Sequence, residues 1–127
     1  MATWFDTSAL DALLNEIKNN SVTVRLLDTY TQGDNFSTVD ANTIASAAIT
    51  SGDFTGPSSS GQNRRLTFSG KTGTATANSS VQALHIALCS ASVVYAVTDE
   101  TSDQPITSGN PVTFPTFYMQ SSQPTQV

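Results

Sequence analysis

The sequence predicts a mainly β fold: a single antiparallel β-sandwich or barrel-like domain with one short N-terminal α-helix at about residues 8–19. Ser and Thr make up roughly a quarter of the chain and charged residues only 12%. Thr favours extended backbone and Ser favours turns. After the first segment, apolar and polar residues alternate in short runs, the period of a half-buried strand. Residues that break secondary structure recur about every eight to twelve residues, which is typical of antiparallel sandwiches and barrels.

The length of 127 residues fits one domain with its own core. We expect this domain to span residues 1–120 and a flexible tail, SSQPTQV, to occupy 121–127. The segment MATWFDTSALDALLNEIKNN has no basic start and no unbroken apolar run, so we expect neither a signal peptide nor a membrane span. The single cysteine, Cys89, excludes a disulfide framework within the chain. These features predict a soluble protein made in a reducing compartment.

One segment near the start has the period of an amphipathic helix. In DTSALDALLNEIKNN the apolar residues recur at i, i+3, i+4 and i+7, which are Leu10, Leu13, Leu14 and Ile17. We expect these side chains to share one face. Ser8 or Thr7 can cap the helix, and Lys18 lies in the last turn, where the helix dipole favours a cation.

The remaining elements are predicted as strands and loops. Strands are indicated by SVTVRLLD, TIASAAIT, RRLTFSG, TGTATAN, VQALHIALCS, SVVYAVTDE and NPVTFPTFYMQ. TYTQGDNFSTVDAN is predicted to be a loop, and SGDFTGPSSSGQN a mobile loop. Gly73 and Pro115 fall within apparent strands and suggest bulges or edge positions.

The basic residues do not predict a nucleic-acid site. The formal net charge is −5, so the average field repels a phosphate backbone. Three of the five basic residues, Arg64, Arg65 and Lys71, lie close together. In a strand, however, the two arginines point to opposite faces and cannot grip one phosphate. We expect one arginine to be solvated and the other to pair with a carboxylate.

The sequence contains no pattern of catalytic, cofactor-binding or metal-binding residues. His85 is the only histidine, and no local motif supplies it with a nucleophile and an orienting partner. Cys89 has no neighbouring group to activate it and is expected to be a small buried residue. The acidic segments GDN and TDETSD lack the spacing of calcium loops. We therefore predict no enzyme, no cofactor and no metal.

Aromatic residues at both ends are candidates for an interface. Trp4 and Phe5 precede the helix, where they either pack onto it as a hydrophobic staple or dock on another subunit. In NPVTFPTFYMQ, the apolar side chains exceed what one face of one strand can bury. The candidate interface residues are Trp4, Phe5, Phe114, Phe117 and Tyr118.

The order of the segments resembles the head decoration, or capsid cement, proteins of tailed bacteriophages. The resemblance is carried by ALDALLNEIKNN, SVTVRLLDT, YTQGDNFSTV, GQNRRLTFSG, GTATANSSVQALHIALCSASVVYAV and ITSGNPVTFPTFYMQ, in that order. In the family pattern, the basic residues that begin the middle strand directly follow a glycine, whereas here Gln62 and Asn63 intervene after Gly61. An aromatic residue often follows the histidine of the ALH strand, and here that residue is Ile86.

The resemblance implies a non-enzymatic virion protein that is made in the host cytoplasm and located on the capsid surface. Its partner would be the major capsid protein, and it would bridge capsomers and stabilise the mature shell. A homo-oligomer is implied, with a trimer favoured where the protein covers local three-fold positions. No nucleic-acid or membrane partner is implied.

Three other functions stay open from the sequence. A phage tail or head-fibre domain would bind a host surface glycan, for which Tyr30 with the adjacent TQGDN is a candidate site. A small lyase or hydrolase would depend on His85, Arg65 and Asp99. A cellular adhesion or matrix domain is the third.

Overall fold

The computed structural model describes residues 4–79, 84–100 and 105–124, and it confirms the predicted fold class. Its helices are α1 (Thr7–Asn20) and α2 (Phe36–Ala41), with a short 3-10 turn at Ser51–Asp53. Its strands are β1 (Thr23–Leu27), β2 (Thr43–Ala48), β3 (Phe54–Ser60), β4 (Asn63–Phe68), β5 (Lys71–Ala75), β6 (His85–Cys89), β7 (Val94–Asp99), β8 (Pro111–Phe114) and β9 (Phe117–Ser121).

The strands form two antiparallel sheets. The larger sheet has six strands in the order β7-β6-β1-β2-β5-β8, and the smaller has three in the order β3-β4-β9. All pairs of neighbouring strands are antiparallel. Helix α1 packs against the three strands of the smaller sheet.

One hydrophobic core joins α1 to both sheets. Leu14 and Ile17 of α1 pack in the same cluster as Leu66 of β4 and Leu26 of β1. A smaller cluster lies on the other side of the larger sheet, where Val39 of α2 contacts it. The six-stranded sheet is therefore apolar on both faces near β1 and β6, which explains the nearly continuous apolar run of β6.

Helix α1 begins one residue earlier and ends one residue later than predicted, and its cap differs. Asp6 is the N-cap, and its carboxylate accepts a hydrogen bond from the backbone N–H of Ser8 at 2.9 Å. Leu10 and Leu14 are buried as predicted, but Leu13 is 57% exposed, so its placement on the buried face was wrong. A helix that rests on a sheet from one side buries a narrow stripe, and Leu13 lies at its margin.

Two segments that were predicted as loops are ordered elements. Helix α2 occupies part of TYTQGDNFSTVDAN, and Asn35 caps it by accepting a hydrogen bond from the N–H of Thr38 at 2.9 Å. The segment predicted as a mobile loop contains β3, which pairs with β4 from Phe54 to Ser60. Phe54 is the only buried residue of β3, so the strand has no alternating pattern for sequence analysis to detect.

The predicted final strand is two strands in different sheets. β8 pairs with β5 in the larger sheet, and β9 pairs with β4 in the smaller one. Pro115 and Thr116 connect them. Pro115 thus lies between strands rather than at a bulge.

The ordered chain continues beyond residue 120, where the predicted tail begins. Ser121 is the last residue of β9 and is 8% exposed. The backbone N–H of Gln123 donates a hydrogen bond to Asn63 Oδ1 at 2.8 Å. Residues 125–127 of the predicted tail lie outside the described residues, as do 81–83 of the predicted VQALHIALCS strand. Within the described part of the chain, no helix is both long and apolar enough to cross a membrane.

Candidate docking surface

The segment before α1 exposes two aromatic side chains on a fixed backbone. Trp4 is 59% exposed and Phe5 is 49% exposed. The N–H of Phe5 donates to Gln123 Oε1 at 2.8 Å, and Gln123 Nε2 donates to the carbonyl oxygen of Phe5 at 3.0 Å. Because the backbone N–H of Gln123 is held by Asn63, this amide ties the segment to β4. About half or more of each residue is accessible, so both can contact a partner whether or not they also pack on α1.

A second exposed surface is the outer face of the smaller sheet, opposite α1. We define this outer face by the alternate residues of its three strands, which are Thr55, Ser58, Ser60, Asn63, Arg65, Thr67, Tyr118 and Gln120. Most are hydroxyl or amide side chains, and Tyr118 is 57% exposed. β3, β4 and β9 contain no acidic residue.

The two arginines of β4 project to opposite faces, as their alternation predicts. Arg64 points toward α1, where its Nε lies 2.7 Å from Asp11 Oδ1. Arg65 lies on the outer face, with its guanidinium carbon 3.8 Å from the centroid of the Tyr118 ring. The pairing of one arginine with a carboxylate agrees with the prediction. The other is half-buried on an aromatic ring instead of being fully solvated.

The remaining basic side chains have acceptors within the protein. Arg25 pairs with Asp40 at 2.6 Å and Lys71 with Asp53 at 3.0 Å. Lys18 donates to the carbonyl oxygen of Gly56 at 2.8 Å. Arg65 has no ion pair or side-chain hydrogen bond to any described residue, and its Nε is buried without an acceptor.

The structure separates the predicted interface residues into three groups. Trp4, Phe5 and Tyr118 are exposed. Phe117 is half-buried, and its ring centroid lies 5.3 Å from that of Phe68 in the core.

The interface prediction for Phe114 is wrong, because its side chain is 1% exposed and belongs to the core. The apparent excess of apolar residues arose from treating β8 and β9 as one strand. Once they belong to separate sheets, each places an aromatic side chain against the core.

A cleft of about 560 Å³ lies beside β6 and β7 of the six-stranded sheet. It is lined by Tyr30, Gln32, His85, Val97, Thr98 and Asp99. His85 Nδ1 lies 3.0 Å from Asp99 Oδ1, and the imidazole centroid lies 5.8 Å from that of the Tyr30 ring. Asp99 is highly exposed, with 84% of its side chain accessible, whereas His85 is 22% exposed.

The alternative set of catalytic residues is not assembled in one place. His85 and Asp99 are paired across β6 and β7 of the larger sheet, but Arg65 lies in the smaller sheet. Cys89 is fully buried, and burial raises the pKa of its thiol, which keeps it protonated. No group of three or more His, Cys, Asp and Glu residues that could hold a metal occurs among the described residues.

Comparison with protein-family models, with curated proteins and with solved structures finds no match to this chain. The choice of function therefore depends on the surfaces above and on the resemblance carried by the order of the sequence segments. The sequence already indicated three exposed residues as interface candidates because they are aromatic: Trp4, Phe5 and Tyr118. Gln123 was missed because a polar residue in an apparent tail gives no periodic signal.

Proposed function

We propose that this protein is a non-enzymatic structural component of a tailed-phage virion. It binds the outer surface of the capsid, bridges capsomers and stabilises the mature shell. The proposal combines the resemblance to head decoration proteins with an exposed aromatic segment suited to docking. Its partner is the major capsid protein, and a homo-oligomer, with a trimer favoured, is the assembled form.

The observation that carries the proposal is the fixed backbone beneath Trp4 and Phe5. Large aromatic side chains are enriched among the residues that contribute most to protein interfaces. The Phe5 N–H donates to the Gln123 side chain and the Phe5 carbonyl oxygen accepts from it, and these two bonds hold the segment before any partner binds. A surface that is ordered in advance loses less conformational entropy on binding, and this favours attachment to a repeating shell.

The test uses the full chain and phage heads that were assembled without it. We expect the protein to sediment with the heads in a saturable manner and to raise their melting temperature, because a ligand that binds only the intact shell stabilises it. Replacing both Trp4 and Phe5 with Ala is expected to weaken binding at least about tenfold. Val93→Ala is the matched control, since Val93 is also an exposed apolar residue, at 43%, but lies in the connection between β6 and β7. Absence of binding and of shell stabilisation would reject the proposal.

The cleft beside His85 favours a second candidate function, the binding of a host surface glycan by a tail or head-fibre domain. Sugar sites combine an aromatic ring with nearby amide and carboxylate groups. Tyr30, Gln32 and Asp99 supply these groups around one opening. A glycan array with the wild type and with Tyr30→Ala separates the two functions. Saturable sugar binding that depends on Tyr30 supports the second, and none is expected of a decoration protein.

A further inference from the structure

The outer face of the smaller sheet carries a positive charge that the protein itself does not neutralise. The chain has a formal net charge of −5, and three of its five Lys and Arg side chains form ion pairs with carboxylates. Lys18 is satisfied by a backbone carbonyl. Arg65 alone has neither kind of acceptor among the described residues.

The aromatic ring of Tyr118 holds Arg65 in place without neutralising it. A guanidinium stacked at 3.8 Å from a ring centroid is attracted by the π-electrons and keeps its full charge. The contact also restricts the rotamers of a long side chain, so less entropy is lost when the planar group meets a ligand. Arg65 is therefore an ordered cation, half-buried on a face of neutral hydroxyl and amide groups.

We propose that the outer face is a docking surface for a protein partner and that Arg65 binds a carboxylate of that partner. The inference rests on the proposed function, because the partner is then the capsid protein of the shell. A planar guanidinium matches a carboxylate with two parallel hydrogen bonds, a stronger and more directional contact than a neutral one. The hydroxyl and amide groups around Arg65 would form the polar rim of the contact.

Charge complementarity selects this occupant over two others. If the outer faces of two copies met, two Arg65 side chains would approach each other with no acid supplied by β3, β4 or β9. A nucleic acid would meet one arginine on a protein of net charge −5, which falls short of the basic stripe that such binding requires. The acid must therefore come from a surface other than this outer face, and the proposed function supplies one in the capsid protein.

The experiment compares variants of the full chain for binding to phage heads assembled without it, by sedimentation over a range of protein concentrations. Arg65→Gln removes the cation, and Lys71→Gln is its matched control. Each substitution changes the formal net charge from −5 to −6, but Lys71 is already paired with Asp53. Arg65→Lys keeps the charge and loses the planar group.

We expect Arg65→Gln to weaken binding at least about tenfold, Arg65→Lys by about threefold or more, and Lys71→Gln by less than about twofold. Arg65→Lys provides the decisive comparison if Arg65→Gln fails to fold, which thermal melting of each variant would reveal.

Each other result overturns the inference in a distinguishable way. Unchanged binding by Arg65→Gln rejects the role of Arg65 and leaves the proposed function intact. Equal losses in Arg65→Gln and Lys71→Gln assign the effect to net charge. A change in the oligomeric mass of Arg65→Gln, measured by light scattering, assigns the carboxylate to a second copy of this chain. Failure of the wild type to bind the heads rejects the proposed function, and this inference with it.

Discussion

Arg64 and Asp11 join helix α1 to the middle strand of the smaller sheet through two parallel hydrogen bonds. Arg64 Nε lies 2.7 Å from Asp11 Oδ1, and Nη2 lies 3.2 Å from Oδ2. Both side chains are mostly buried, at 18% and 22% exposure. Nη1 of Arg64 also donates to Ser59 Oγ at 2.9 Å, so the same guanidinium reaches β3. This contact fixes the position of the helix on the sheet and hence of the segment that precedes it.

Replacing Asp11 with Asn should therefore destabilise the protein. The amide keeps the shape of the carboxylate but leaves Arg64 without its counter-charge in a partly buried place. We expect the free energy of unfolding to fall by about 1–3 kcal/mol, the usual range for losing a hydrogen bond to a charged group. Urea denaturation at pH 7 measures the change.

Glu16→Gln is the control for Asp11→Asn, because Glu16 is an exposed acidic residue of the same helix. Its free energy of unfolding should stay within about 0.5 kcal/mol of the wild type, as is usual for surface substitutions. Equal stabilities of Asp11→Asn and the wild type would show that the pair contributes nothing to helix docking.

Sequence reasoning succeeded where a residue's neighbours along the chain determine its environment. The opposite directions of Arg64 and Arg65 follow from the two-residue period of any strand. Helix α1 was found because Leu10, Leu13, Leu14 and Ile17 repeat with the helical period, and all of them except Leu13 are buried. These features need no knowledge of how the sheets are assembled.

Features that depend on pairing between strands far apart in the chain could not be predicted from the sequence alone. β3 is a strand because β4 supplies its hydrogen bonds, although only Phe54 within it is buried. Phe114 was assigned to an interface because Pro115 suggests only a bulge or an edge position, and the local sequence does not show that the chain changes sheets there. For α2, a local signal was present in Asn35, whose side chain caps the helix at Thr38. Its six residues are too short to give a clear period.

Because Gly73 has no side chain, β5 can lie close to the backbone of β2 and to the ring of Phe114. Gly73→Ala should therefore be strongly destabilising. The residue lies in an inner strand of the larger sheet, not at the edge suggested by the sequence. A Cβ atom there would lie 2.4 Å from the carbonyl oxygen of Ser46 and 2.9 Å from the ring of Phe114. Relief requires movement of β2 or of a core side chain, and we expect a loss of about 1–3 kcal/mol in the free energy of unfolding.

Gly52→Ala is the matched control for Gly73→Ala. A Cβ atom at Gly52 would meet only Thr50 Oγ1 at 3.5 Å, an ordinary contact distance. Urea denaturation of both variants should separate them by more than about 1 kcal/mol. Similar stabilities of the two variants would contradict the steric argument.

Gln123→Ala should release the N-terminal segment while leaving the fold intact. The substitution removes the bond that the Phe5 N–H donates and the one that the Phe5 carbonyl accepts. We expect the Phe5 amide to exchange with solvent at least about tenfold faster, because local opening then no longer breaks that bond. Hydrogen exchange followed by NMR measures this rate. Gln120→Ala is the control, since Gln120 bonds Ser60 and Ser122 rather than Phe5, and an equal effect in both would refute the role of Gln123.

Asp53 should make the stability of the protein depend on pH in the acid range. Its carboxylate accepts a hydrogen bond from the backbone N–H of Thr50 at 2.8 Å and one from Lys71 Nζ at 3.0 Å. The Thr50 contact is the main cause that holds the pKa of Asp53 below its ordinary value, Lys71 adds to it, and partial burial opposes both. Because the folded-state pKa is lowered, the stabilisation is complete above the ordinary value of about 3.9 and is lost as the pH falls through the folded-state pKa.

The measurement is the urea midpoint of the wild type, Asp53→Asn and Lys71→Gln between about pH 7 and pH 2.5, a range that spans the titration of an aspartate. We expect the wild type to be more stable than Asp53→Asn by a constant amount above about pH 5, and this difference to shrink below about pH 4. Lys71→Gln should retain most of the wild type's pH dependence, since Thr50 still donates to the carboxylate. A difference between the wild type and Asp53→Asn that persists undiminished at the lowest pH would mean that the charge of Asp53 is not what stabilises this turn. Loss of the whole pH dependence in Lys71→Gln would instead assign the lowered pKa to the ion pair.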